Sequence, residues 1–178
     1  MKQLPELMEN YKNNEKKILG GLYEKMLELF KKAGQMQKEN TRGAVSVITV
    51  SYLQSSVLTG NYELRLDIYD RDFYLDQKEC CTYWDPEFIT KYILSDLGYF
   101  KDTIRFRIPQ IKTYEIQQFA DGYVVNYIYL LQQFLRQIFP QILDGVKSVS
   151  AIAADRDIKV FFGEFMGKGT VIMGELDS

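Results

Sequence analysis

The sequence predicts an α+β fold, an antiparallel sheet made of two hairpins with long amphipathic helices packed on one face. Three observations carry this. Residues 4–33 and 112–139 hold apolar side chains at helical spacing, and residues 61–69 alternate apolar and polar side chains as a half-buried strand does. The elements run helix, hairpin, helices, hairpin, without the strand–helix–strand rhythm of a doubly wound parallel sheet.

The first helix is read from Leu4, Met8, Tyr11, Ile18, Leu22, Met26, Leu29 and Ala33, with Lys12, Asn13, Asn14, Lys16 and Lys17 facing the other way. Pro5 suits its first turn. Gly20-Gly21 weakens it, since each glycine costs roughly 1 kcal/mol against alanine, and Gly34 is expected to cap its end. Residues 44–53 read as a strand and 61–69 as its antiparallel partner, with Tyr62, Leu64, Leu66 and Ile68 inward and Glu63, Arg65, Asp67 and Tyr69 outward. Gly60-Asn61 supplies turn chemistry between them.

Asp85-Pro86 opens the next helix as a capping aspartate followed by proline at the first position. Ile89, Ile93, Leu97, Phe100, Ile104 and Ile108 continue the period, so helix is preferred over a strand at 103–108, and Pro109 interrupts either. Ile116, Phe119, Tyr123, Tyr127, Leu131, Phe134 and Ile138 give the strongest helical row, which Pro140 should end or kink. Leu131 and Leu135 are expected to be buried. Residues 157–176 read as a closing hairpin reversing at Gly167-Lys168-Gly169.

A chain of 178 residues at 46% hydrophobic and 26% charged has the size and composition of one globular domain spanning 1–178. Its net charge of −2 gives it no preference for nucleic acid or anionic membrane. The uncharged stretch 43–60 is long enough to raise a membrane span, but its serines, threonines and β-branched residues read as strand and turn. Cys80 and Cys81 are adjacent and poorly placed for a relaxed disulfide; with no basic-apolar leader in residues 1–14, they favour the cytoplasm. Heavy use of Lys, Glu, Ile and Tyr fits a bacterial chain.

Histidine is absent, which removes the commonest general base and metal ligand and every Ser–His or Cys–His arrangement. With no histidine and two adjacent thiols, a zinc site is not expected, and neither is any cofactor or catalytic residue. The acidic run Asp67, Asp70, Asp72, Asp76 and Glu79 offers hard oxygen ligands for Mg²⁺ or Ca²⁺, though not at EF-hand spacing. Leu66–Asp72 also resembles the strand-then-Asp-x-Asp signature of metal-dependent glycosyltransferases, which need a nucleotide-binding domain this pattern lacks. A solvated strand end is the simpler reading. The tripeptide Asp-Arg-Asp occurs at 70–72 and 155–157, where coincidence is preferred over two loops meeting through a guanidinium. Gly163–Thr170 fails the spacing of a phosphate-binding loop and precedes a strand, so it reads as a hairpin turn.

The function expected is a non-catalytic interaction or regulatory module that binds a protein partner or itself, with a homodimer the simplest form. Tyr52, Tyr69, Tyr74, Tyr83 and Trp84, near the acidic segment, are candidates for an interaction face, because an aromatic ring buries area while its polar atom stays hydrogen-bonded. Gln132 and Gln133 join them: no charge lies between Asp121 and Arg136, and neutral amides are cheaper to desolvate than charges. Two alternatives stand beside this reading: a metal-dependent enzyme using Asp67 to Asp76, and a small-molecule sensor with an aromatic pocket between helix 112–139 and the sheet.

Overall fold

In the computed structural model, which describes residues 4–53, 55, 59–75, 78–108 and 110–174, the chain is α+β. Three helices, α1 (Leu4–Lys38), α2 (Glu87–Arg107) and α3 (Thr113–Val149), accompany a sheet of β1 (Val45–Tyr52), β2 (Leu64–Tyr69), β3 (Cys81–Trp84), β4 (Ala154–Glu164) and β5 (Gly169–Met173). The strand order is β3-β2-β1-β4-β5. Among the described residues no helix is long and apolar enough to cross a membrane.

The sheet is mixed, and this corrects the antiparallel expectation. β1 pairs antiparallel with β2, Ile48 opposite Ile68 and Val50 opposite Leu66, but parallel with β4, Ile48 opposite Val160 and Val50 opposite Phe162. Only β4 and β5 form a tight hairpin, and β3, not expected, extends the sheet beyond β2. The reason lies in β1. It is central and buried along nearly its whole length, so it needs a partner on each edge. Its run of β-branched residues is the signature of such a strand, but a local pattern does not reveal the direction of the second partner.

The hairpin reverses between Glu164 and Gly169, through the expected Gly167-Lys168, and a further glycine within β4 lets its strands meet. A Cβ at Gly163 would lie 2.3 Å from the Lys168 carbonyl oxygen, so only glycine lets the two strands approach there. The positive φ in the turn belongs to Met166.

Helix ends also moved. α1 passes through Gly34, which serves close packing: a Cβ there would sit 2.6 Å from Ile152 Cγ2. The helix stops where Asn40 takes a left-handed conformation (φ 53°) and the Thr41 N–H reaches back to the Met36 carbonyl at 2.9 Å. Asp85 does not cap α2. Pro86 occupies the cap position, and the Asp85 carboxylate accepts from the Thr90 hydroxyl instead. α2 is helical through Arg107, as the preferred reading had it, while Pro109 lies outside the described residues.

Pro140 does not end α3. Ile142, Leu143 and Val146 keep its buried stripe going after the proline, and three such side chains at about 1.5–3 kcal/mol each outweigh the roughly 3 kcal/mol that an interior proline costs. That stripe meets Leu22, Met26, Leu29 and Phe30 of α1 and the Ile48, Val50, Leu66, Val160 and Phe162 side chains of the sheet in one core cluster. Leu131 and Leu135 are both in it.

Two outcomes follow for stability. Leu131→Ala should cost about 2–5 kcal/mol in a denaturant melt, the range for truncating a core leucine; a loss under about 0.5 kcal/mol would place this stripe in solvent. Gly20 and Gly34 should respond with opposite signs to alanine. Nothing lies within 4 Å of a Cβ at Gly20, so Gly20→Ala should gain about 0.5–1 kcal/mol in helix propensity. Gly34→Ala should lower the melting temperature by forcing Ile152 away.

Candidate functional site

Within the acidic segment, Asp67, Asp70 and Glu79 are taken up by protein donors. The Asp67 carboxylate is buried and receives both Nε and Nη2 of Arg65, the latter at 2.7 Å. Burial pushes its pKa up while the guanidinium works against that. Glu79 accepts from the same Nη2 of Arg65, which keeps Glu79 below the usual carboxylate range. The Phe165 ring covers the guanidinium, 4.5 Å from its carbon. Asp70 accepts from the backbone N–H groups of Gly43 and Asp72, both at 3.0 Å. Asp76 lies outside the described residues. Among the described residues no three His, Cys, Asp or Glu side chains come together as a metal-binding group.

The two Asp-Arg-Asp tripeptides do meet, which corrects the reading of coincidence. Arg71 forks onto Asp155, Nη2 to Oδ1 at 3.1 Å and Nε to Oδ2 at 3.2 Å, and the Ser46 hydroxyl donates to the same carboxylate at 2.7 Å. With Arg71 exposed to solvent, this contact aligns loops more than it stabilises them. The loop after β2 is also held by Arg42, a buried residue the pattern did not single out. It donates to the Ile68 carbonyl at 2.6 Å and to that of Lys78.

The proposed interaction face is dispersed. Tyr83 and Trp84 are neighbours on β3 and so point to opposite sides of the sheet. Tyr83 is exposed, whereas Trp84 is buried against α1, its Nε1 3.7 Å from where a Gly21 Cβ would be. Tyr52 packs on Phe162, and Tyr69 packs edge-on to Phe73. The Tyr74 side chain lies outside the described set, and Gln132 and Gln133 are half-buried on α3. The cysteines are free, with Cys80 buried and its thiol contacting the Leu29 carbonyl.

Two other places have the geometry of sites. The first is an arm formed where α2 and α3 run past the sheet. Every buried residue of α2 lies in its first half, ending at Leu97. Beyond it, Tyr99, Phe106 and Ile108 are exposed, with Phe106 88% accessible, and α3 adds exposed Tyr114 and Phe119. Between the helices runs an apolar groove of about 490 Å³ floored by Phe100, Ile104, Phe119 and Tyr123. The hydroxyls of Tyr123 and Tyr127 both donate to Asp96, which fixes the base of the arm and raises the Tyr123 pKa to about 12, burial contributing most. The second is an apolar cavity between α2, α3 and the sheet, bounded by Tyr52, Tyr62, Ile93, Val124, Leu131 and Phe162 among others.

Helical periodicity put Phe119 and Tyr123 in a buried row, so it missed the arm. The signal available was charge: Lys101, Arg105 and Arg107 show that the later turns of α2 are wet while their aromatic residues remain.

No family model matches the chain, and neither a curated protein nor a solved structure matches it.

Burial pushes the Cys80 thiol up to about 11, so little of the reactive thiolate forms near neutrality. Iodoacetamide at pH 7.5 should therefore leave Cys80 unmodified in the native protein and alkylate it in guanidinium, as read by peptide mass spectrometry. Alkylation of native Cys80 as fast as of unfolded Cys80 would contradict its placement.

Proposed function

We propose that the protein is a non-catalytic interaction module whose α2–α3 arm binds a second copy of the same chain. The observation that carries this is the set of exposed aromatic side chains, Tyr99 and Phe106 on α2 and Tyr114 and Phe119 on α3, beside the apolar groove between these two helices. Large exposed apolar surface on a protein marks contacts with another molecule. Large aromatic side chains also supply most of the binding energy in such contacts.

Charge supports a second copy as the occupant. Between Asp96 and Asp121 lie Lys101, Arg105, Arg107 and Lys112 together with Asp96, Asp102, Glu115 and Asp121, an equal number of each sign. A surface with one sign in excess would repel its own copy; this one is balanced. Its basic groups gather at the end of α2, and Glu115 and Asp121 lie on α3, so a two-fold pairing can bring unlike charges together around the exposed aromatic side chains. Two arms packed side by side make a four-helix arrangement of familiar geometry. The free thiols Cys80 and Cys81 support a reducing compartment such as the cytoplasm.

Sedimentation velocity over a concentration series should give a dimer at micromolar to tens of micromolar protein. Phe106→Glu should weaken it at least tenfold, the loss of about 1.4 kcal/mol, with no fall in melting temperature at concentrations where the wild type is also monomeric, because Phe106 is 88% exposed within the monomer. A monomer at every concentration up to several hundred micromolar would overturn self-association.

A further inference from the structure

We infer that the groove between α1 and the start of α2 binds a small zwitterion of the free amino-acid type, and that the Trp84 indole N–H at its floor donates to the ligand's carboxylate. The inference is independent of the arm and of its self-association.

The groove has a volume of about 450 Å³, within the range of small-molecule sites. Gly21 and Trp84 line it together, and Trp84 Nε1 lies 3.7 Å from where a Gly21 Cβ would be. Glycine at this position leaves the indole edge uncovered. Trp84 as a whole is only 6% exposed. Among the described residues its Nε1 makes no hydrogen bond, yet it is not one of the partnerless side-chain atoms sealed from solvent. Its N–H therefore opens into the groove. An indole nitrogen only donates. A donor on a residue this buried is costly to leave without an acceptor, so the position calls for a ligand that brings one.

Charge narrows the ligand further. Six charged side chains line the groove, three of each sign. α1 contributes Lys17, Lys25 and Glu24, and the two lysines lie one helical turn to either side of Gly21. The facing wall contributes Asp85, Glu87 and Lys91, of which Lys91 leans over the Tyr92 ring. One wall thus has lysine in excess and the other carboxylate. Among the described residues no ion pair crosses between them; the Lys25–Glu28 contact stays within α1 and is exposed, so it holds Lys25 only weakly. A ligand of one charge would face a like-charged wall. A zwitterion satisfies both, its carboxylate between the lysines at the Trp84 N–H and its ammonium towards Asp85 and Glu87. Ile18 and Phe88 add apolar surface for a hydrocarbon side chain.

Trp84 is the single tryptophan of the chain, so one indole signal in a ¹H–¹⁵N NMR spectrum reports on the site. L-leucine should shift that signal saturably at millimolar concentration. N-acetyl-L-leucine, which lacks the ammonium, and L-leucinamide, which lacks the carboxylate, should each bind at least about fivefold more weakly, the value of one lost hydrogen bond. Gly21→Ala supplies the second test. Its methyl fits at ordinary contact distance and stands over the indole N–H. Leucine binding should weaken about tenfold, while the melting temperature stays level or rises with the better helix former. The inference is overturned if about 10 mM leucine leaves the indole signal unmoved, if either capped compound binds as tightly as leucine, or if Gly21→Ala binds as the wild type does. The comparison of the three compounds on the wild type decides the matter even if the variant folds poorly.

Discussion

Strand β1 is paired on both edges and buried on both faces, and the rest of the molecule is arranged around that constraint. One face is met by the core that α1 and α3 complete. The other carries Thr49 and Ser51, both buried, beneath Phe73 and the turn after β4. A half-wet antiparallel sheet would leave this second face to solvent. Here it is covered, so the Asp67 carboxylate on the neighbouring strand is buried too and needs Arg65 beside it. Asp67, the first carboxylate of the acidic segment, thus belongs to the polar lining of a covered sheet face. Breaking such a pair by removing one partner strands a buried charge, so Arg65 and Asp67 are coupled in any substitution.

Much of the fold was legible because it is local. The alternation of Tyr62 to Ile68 and the period through Leu131 and Leu135 each report one buried side, and burial on one side is what a period encodes. What the sequence did not yield is non-local. The parallel pairing of β1 with β4 depends on where more than a hundred intervening residues return the chain. β3 has four residues, too few for an alternation, and runs directly into a helix start. Pro140 and Gly34 were read by their local preferences, and tertiary packing overrode both: Val146 and its neighbours in one case, Ile152 in the other. The meeting of Arg71 with Asp155 exists only in three dimensions.

α2 and α3 each serve two purposes along their length. Phe88 to Leu97 and the α3 stripe from Ala120 onward belong to the core, and the cavity lies between them. The remaining turns, from Gly98 on α2 and before Ala120 on α3, lie beyond Asp96 and the two tyrosines that donate to it. This division explains why one continuous apolar period ends in exposed rings. The period persists past the edge of the sheet, where the monomer has nothing to bury it against.

The claim that a second chain buries those rings is tested most directly by hydrogen exchange at two protein concentrations, one well below and one well above the association midpoint. The account predicts that amides of residues 99–107 and 114–122 exchange more slowly at the higher concentration, while those of 87–97 and of β1 do not change. Exchange in the arm that is independent of concentration across that range would contradict it.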